Sequence, residues 1–307
     1  MDFLEKGLVT MKKSNMKWNI TFKKRLLNGG VFLTLIPALV VISSCSPSSE
    51  SQLNGASAIA QESTTAGTRL NLPALATVLS SYVNDRGLVD YDSLQNDRQA
   101  LDAFNASVQL LDPAVYESWS EDEQIAFLIN AYNSLTLKAI IDESPIKDSI
   151  KDIKGVWRFQ KHGIFQDKKT LNNIEHDILR ADFSEPRIHA ALVCAAISCP
   201  YLRQEPFVGE TLDAQLDDQV RIFLNQPETL EIDKESNEVR LSSIFKWFGE
   251  DWVPGFGTDE GFAGSANEKA VLNFISGYVS EADAAYLKAG GYEVNYNDYD
   301  WSLNRQP

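Results

Sequence analysis

Apolar side chains recur at three- and four-residue spacing in Leu75, Val78, Leu79 and Val83, between Pro73 and Asn84-Asp85-Arg86-Gly87, which predicts a helix closed by a turn. Leu88 to Tyr91 predicts a brief strand. Ser93 is placed to cap a second helix that carries Leu101, Phe104, Val108 and Leu110 as far as a turn at Asp112-Pro113. From Ile125 to Ile141 almost no polar face remains, as in a helix at the centre of a core; Asn130 and Asn133 share one side of it, and Pro145 ends it. Gly155 to Phe159, a turn at Lys161-His162-Gly163, then Ile164-Phe165 and Asp167 to Thr170 read as a hairpin. Asn172-Asn173-Ile174-Glu175 has the form of a capping box and opens a helix running to about Arg180.

Arg187 to Ala195 is a continuous, mainly apolar run bounded by Pro and Ser, the pattern of a strand buried on both faces, and it is the candidate central strand. Leu212 to Leu224 returns to helical spacing with Asp213, Asp217 and Asp218 outward, and Pro227 ends it. Leu230 to Ile232 and Val239 to Leu241 flank a polar loop in a second hairpin. Helices follow over about Glu268 to Val279 and Glu281 to Lys288, stopping at Gly290-Gly291, and Tyr292 to Trp301 suggests a last strand. Helices and hairpins in this order predict one α+β domain with a mixed or antiparallel central sheet packed by helices.

Ahead of the domain the pattern changes. Lys17, Lys23, Lys24 and Arg25 precede an apolar run, Val31 to Ile42, that stops at small residues, the layout of a secretory signal. The run falls short of the roughly 20 residues that cross a bilayer. Its end, Ile42-Ser43-Ser44-Cys45, looks like the lipobox of bacterial lipoproteins. Small side chains let an extended backbone enter the peptidase cleft, and the Cys45 thiol accepts diacylglycerol. Residues 1–45 are thus expected to be a lipoprotein signal peptide, with Met11 and Met16 as alternative starts, and acyl chains including palmitate would anchor Cys45. Ser46 replaces the aspartate that favours inner-membrane retention, so the expected location is the outer membrane, facing the periplasm. Residues 46–68, rich in Ser, Thr, Ala and Gly, read as a flexible tether, and 69–307 as the single domain.

Charge excludes one class of partner. Seven Lys/Arg and two Asp/Glu precede Cys45, leaving 21 against 41 and a net charge of about −20. Nucleic acid binding needs a basic stripe, so no nucleic acid is expected. The same argument has anionic headgroups repelling the domain, leaving the membrane contact to the anchor at Cys45.

Reactive groups are few: His162, His176 and His189, and beyond the leader only Cys194 and Cys199. A nucleophilic thiol needs an imidazole nearby and a polar group to orient the ring. Cys194, His176 or His189, and Asn130 could supply these parts. His189 and Cys194 are five apart, so a regular strand puts them on opposite faces and makes His176 the better partner. Each has a structural alternative: Cys194 as a small hydrophobe, His176 as a satisfied helix histidine, Asn130 and Asn133 as ties to backbone groups in the core. A Cys194–Cys199 disulfide is a further alternative; an extended run would separate the two Cα atoms by about 16 Å, so Ala195 to Ser198 would have to turn. Zinc is the weaker use of these residues, because C-x4-C lacks finger-type spacing. Neither a metal nor a cofactor is expected.

The blocks FLINAYNSL (127–135), IEHDILR (174–180), RIHAALVC (187–194), Ser198-Cys199-Pro200 and LSSIFKWFGED (241–251) resemble, in order and spacing, those of the domain of unknown function family 547. The resemblance covers about 124–252. It implies no established activity, keeps the Glu175-His176 pair, and implies that Cys194 does not depend on Cys199, thereby favouring Glu175, His176 and Cys194 over His189. Leu128 departs from the family's usual Trp, a matter of packing. A distant relation to papain-like cysteine hydrolases is also implied. Two functions follow: a cysteine-type envelope hydrolase or acyltransferase acting on a small substrate, or a non-catalytic binding or scaffolding lipoprotein with an envelope partner.

Overall fold

The computed structural model describes residues 69–307. The leader, Cys45 and the tether lie outside the described residues. The chain adopts the expected α+β class, with helices carrying most of the core and two small sheets beside them.

The helices α1 (Leu72–Tyr82), α2 (Tyr91–Asn96), α3 (Gln99–Leu110), α4 (Pro113–Glu117) and α5 (Glu121–Ile141) come first. The expected second helix is broken at Asp97. Its cap is Asp90, whose carboxylate accepts the Ser93 amide. The expected strand at Leu88 to Tyr91 shrinks to bridges at Val89. Helix α5 opens with a capping box in which Ser120 and Glu123 satisfy each other's amides. Beyond Gln124 every residue of α5 except Lys138 is buried. Each large apolar side chain there contributes on the order of 2 kcal/mol by leaving water, so α5 is the axis of the first core. No described helix is long and apolar enough to cross a membrane.

The first hairpin pairs β1 (His162–Ile164) with β2 (Asp167–Lys169) through Phe165 and Gln166, both at positive φ, the turn whose twist suits two antiparallel strands. Gly155 to Phe159 stays outside the hairpin because the amides of Arg158, Phe159 and Gln160 all converge on the Gly155 carbonyl. The helix after β2 is a π-helix, Asn173–Leu179, in which the Arg180 amide reaches back five residues to Glu175. Its cap is Thr170: the hydroxyl accepts the Asn173 amide, and the Asn173 side chain accepts the Thr170 amide. Glu175 is therefore released from the capping role expected of it.

The run Arg187 to Ala195 is not a strand. It is a 3-10 helix, Pro186–Ala190, followed by irregular chain. The reason its hydropathy imitates a two-faced strand is that it passes between two cores: Ile188, Ala191, Leu192 and Val193 pack with α1 to α5, whereas Ala190 packs with the second core. That second core gathers α6 (Leu212–Leu224), α7 (Ser243–Phe248), α8 (Ala266–Ser276) and α9 (Glu281–Ala289) around Trp252 and the inner face of the second sheet. The sheet pairs β3 (Leu230–Asp233) antiparallel with β4 (Glu238–Leu241), and β4 parallel with β5 (Glu293–Tyr296). After β5 the chain returns to the first core, bridging Ser149 at Ser302, Ala196 at Leu303 and Val89 at Arg305.

Candidate functional site

Cys194 and Cys199 form a disulfide with their Cα atoms 6.1 Å apart. The chain between them makes the required turn, with Ala195 at φ 62°, a left-handed conformation that costs an L-residue roughly 1–2 kcal/mol. The tail holds that turn: the Asn304 amide donates to the Ala195 carbonyl, and Ala196 pairs with Leu303. The implied independence of Cys194 from Cys199 does not hold in this structure, where Cys194 carries no free thiol. Cys199 is buried and Cys194 half-buried. The Cys199 sulfur accepts the Cys194 amide at 3.1 Å, the Ala196 amide at 3.5 Å and the Tyr299 hydroxyl at 3.2 Å. The same hydroxyl lies 3.2 Å from the Cys194 sulfur. Burial and the nearby Glu175 push the Tyr299 phenol upward, so it stays protonated as a donor.

Three residues of α5 position this loop and its surroundings. The Asn133 amide donates to the Ala191 carbonyl at 2.9 Å and its oxygen accepts the Val193 amide at 2.9 Å, fixing the backbone that leads into Cys194. Asn130 makes the same two-way tie to Phe207, at 2.7 and 3.0 Å. Both asparagines thus serve backbone, and Asn130 orients no imidazole. Between them Tyr132 is fully enclosed; burial, then the nearby Glu175 carboxylate, raise its phenol well above the usual range. The Glu175 carboxylate acts on both buried phenols, Tyr132 and Tyr299.

The histidines are engaged elsewhere. Arg180 donates from one guanidinium nitrogen to Nδ1 of His176 at 2.9 Å. An arginine cannot accept, so the lone pair of His176 is at Nδ1 and its proton at Nε2. In that tautomer the ring is a hydrogen-bond donor to its surroundings and not the base for a thiol. Burial lowers its pKa further, aided by Arg180 and His189 against the pull of Glu175. Arg180 also holds Asp251 through two nitrogens, at 2.6 and 2.9 Å, and reaches Glu250. Buried His189 donates Nε2–H to Asp251 at 2.7 Å and stacks on Phe248, centroids 4.3 Å apart. Burial alone would raise the Asp251 carboxyl, but the bonds from His189 and Arg180 prevail and hold it down to about 2. The expected pair of Cys194 with His176 is not formed: Cys194 meets Cys199 and Tyr299, and His176 meets Arg180.

A cavity of about 120 Å³ opens beside this second cluster, lined by Arg180, Phe183, Glu185, Ile188, Glu250 and Asp251. At about 30 Å³ per water it has room for a few water molecules. Among the described residues no three His, Cys, Asp or Glu side chains gather as a metal-binding group.

Sequence reasoning missed Tyr132, Arg180, Asp251 and Tyr299. Tyr132 lies between the two asparagines, and Arg180 and Asp251 close two of the sequence blocks that carry the resemblance, so each had a signal. Tyr299 had none, because it comes from the irregular tail 105 residues after Cys194.

Comparison with curated proteins and with solved structures finds no match. Residues 116–224 match the family model described as "Protein of unknown function, DUF547", a span that holds the Asn130, His176, His189 and Cys194 blocks and stops short of Asp251.

Proposed function

We propose that this chain is a lipoprotein of the bacterial cell envelope, acylated at Cys45, whose domain carries out thiol–disulfide exchange at Cys194–Cys199. The observation that carries the reading is the set of three donors on the Cys199 sulfur. A disulfide also fits an oxidising compartment outside the cytoplasm, in keeping with the signal-like leader. The step is an attack by a partner thiolate on Cys194, the more accessible sulfur. The Cys194–Cys199 bond breaks and its electron pair leaves on Cys199, where two amides and the Tyr299 hydroxyl stabilise the thiolate. A second partner thiolate then attacks the mixed disulfide at the partner's sulfur and releases Cys194. The partner's two thiols leave as a disulfide, Cys194 and Cys199 are reduced, and a disulfide-bearing acceptor reoxidises them.

A non-catalytic binding lipoprotein is the second reading, favoured by the asparagines that serve only backbone. As a staple the disulfide closes a loop of six residues, a stabilisation of about 2 kcal/mol in the chain-entropy model. Titration against glutathione or dithiothreitol separates the two. A potential between about −120 and −270 mV, with Cys194 the first sulfur alkylated, supports exchange. A potential below about −300 mV with no alkylation in the folded protein makes the disulfide structural and rejects the exchange reading. The hydrolase or acyltransferase reading needs an imidazole on a reduced Cys194; labelling of reduced protein by an acylating activity probe, lost in Cys194→Ser, would revive it.

A further inference from the structure

The segment 151–161, Lys-Asp-Ile-Lys-Gly-Val-Trp-Arg-Phe-Gln-Lys, runs against the charge of the rest of the chain. It holds four cations and a single anion, Asp152, in a protein whose mature form carries a net charge of about −20. Among the described residues no carboxylate lies within salt-bridge distance of Lys154, Arg158 or Lys161, the Asp167 carboxylate acting on Lys161 only from farther away, and all three are exposed. At the middle of these cations stands Phe159, 80% exposed, the most exposed large apolar side chain of the described residues. It is not a loose side chain. Three amides in succession bind the Gly155 carbonyl, and the Phe159 ring lies over Gly155 so closely that a Cβ there would come within 2.9 Å of it. Gly155 is at φ 71°, so both its backbone and the ring above it require glycine. Beside the loop, the half-buried Trp157 and Trp301 meet edge to face, with the Lys151 ammonium over Trp301.

We propose that this face, Lys151, Lys154, Arg158, Phe159 and Lys161, docks the domain on an anionic phospholipid surface. An ordered aromatic ring held out in water among unpaired cations is the arrangement that enters a headgroup layer: the ring reaches the acyl boundary while the cations meet phosphates. Charge complementarity is local, which is why the net charge of the whole chain predicts the opposite. Chain length favours the same occupant, and here the inference rests on the lipoprotein reading: the 23 residues between Cys45 and Arg69 span at most about 80 Å, so an anchored domain never leaves the vicinity of the bilayer.

The test uses the mature chain from Cys45 onward without acyl groups, added to preformed vesicles of phosphatidylcholine or of phosphatidylglycerol. Both buried clusters lie within 69–307, so this chain keeps the whole described core. Acylation is read separately, as added mass on Cys45 in protein isolated from membranes, so failure of the anchor and failure of docking are distinct results. Docking predicts binding to phosphatidylglycerol only, weakened by salt, about five-fold weaker for each of Lys154→Ala, Arg158→Ala and Lys161→Ala. Phe159→Ala should weaken it about ten-fold, and Phe159→Trp should restore it. Quenching of tryptophan fluorescence by brominated acyl chains should follow the same order. Equal binding to both lipids, binding indifferent to Phe159 and Arg158, or a Phe159-dependent dimer in sedimentation, in which a second copy covers the ring, would overturn it.

Discussion

At the scale of single residues, the chemistry turns on which hydrogen bond each polar group already has. Tyr299 offers its hydroxyl to the Cys199 sulfur, and a bond to a thiolate is worth about 1.5–3 kcal/mol, more than one to the neutral disulfide. Tyr299→Phe should therefore make the pair harder to reduce, by about 30–60 mV, with the thiol–disulfide equilibrium against glutathione as the measurement. A merely structural hydroxyl would move the melting temperature and leave the potential where it was. Asp251 carries a second prediction, because its carboxyl is held at about 2, below the usual value of 3.8. A depressed carboxyl contributes stability that is fully present above its unfolded pKa and lost as pH falls through its folded one. The contribution should be about 1–2 kcal/mol after allowance for solvent screening, and it should fade between about pH 4 and pH 2. Asp251→Asn should be destabilised by about 3 kcal/mol at pH 7, where Arg180 and His189 lose their shared partner, and the gap to the parent should narrow across that pH window in thermal melts. Residue types were legible in the sequence, since the cysteines and histidines are scarce, and the Cys194–Cys199 disulfide was among the alternatives left open, but the partners of the histidines were not legible. His176 looked like the partner of a thiol because the nearby arginine that takes its lone pair is invisible to a search for nucleophiles and bases.

At the scale of elements, α5 was readable from Ile125 onward, where its apolar surround announced a central helix, while its polar first turn from Glu121, capped by Ser120, was not. Its neighbour in the core, Arg187 to Ala195, had the same apolar signature and a different structure. Period and burial report only how many sides of a segment are covered, and a chain threaded between two cores is covered on all sides without being a strand. What sets its path is the Asn133 side chain, whose two bonds replace those a strand partner would have given to Ala191 and Val193. Asn133→Ala should leave that buried carbonyl and amide unpaired, at a cost of about 2–5 kcal/mol. For a chain of this size that is a fall of roughly 5–15 °C in melting temperature, measured by circular dichroism. The cysteine loop should loosen with it, so that Cys194 is reduced and alkylated faster than in the parent. An unchanged melt would mean that packing alone holds the segment.

At the scale of the whole molecule, the tail joins parts that are far apart in sequence. The Val89 amide donates to the Asn304 carbonyl, the Asn304 amide to the Ala195 carbonyl and the Ile197 amide to the Ser302 carbonyl, while the buried Asn304 side chain accepts the Tyr91 hydroxyl. One short segment thus closes both the start of the domain and the turn that carries the disulfide. No local sequence pattern announces this role, because the tail's bonds run from irregular chain to partners 100 or more residues away. A chain ending at Asp298 loses Tyr299, Leu303, Asn304 and these bonds together, exposing the carbonyls and amides they satisfied. Counting only four buried bonds at about 1 kcal/mol each, the loss is at least 4 kcal/mol, a large part of the stability of an ordinary domain. The shortened chain should unfold at a clearly lower denaturant concentration, and its cysteine pair should be reduced at the rate of an unfolded peptide under conditions where α5 is still helical. A midpoint and a reduction rate equal to those of the full chain would show that the two cores hold the cysteine loop without the tail.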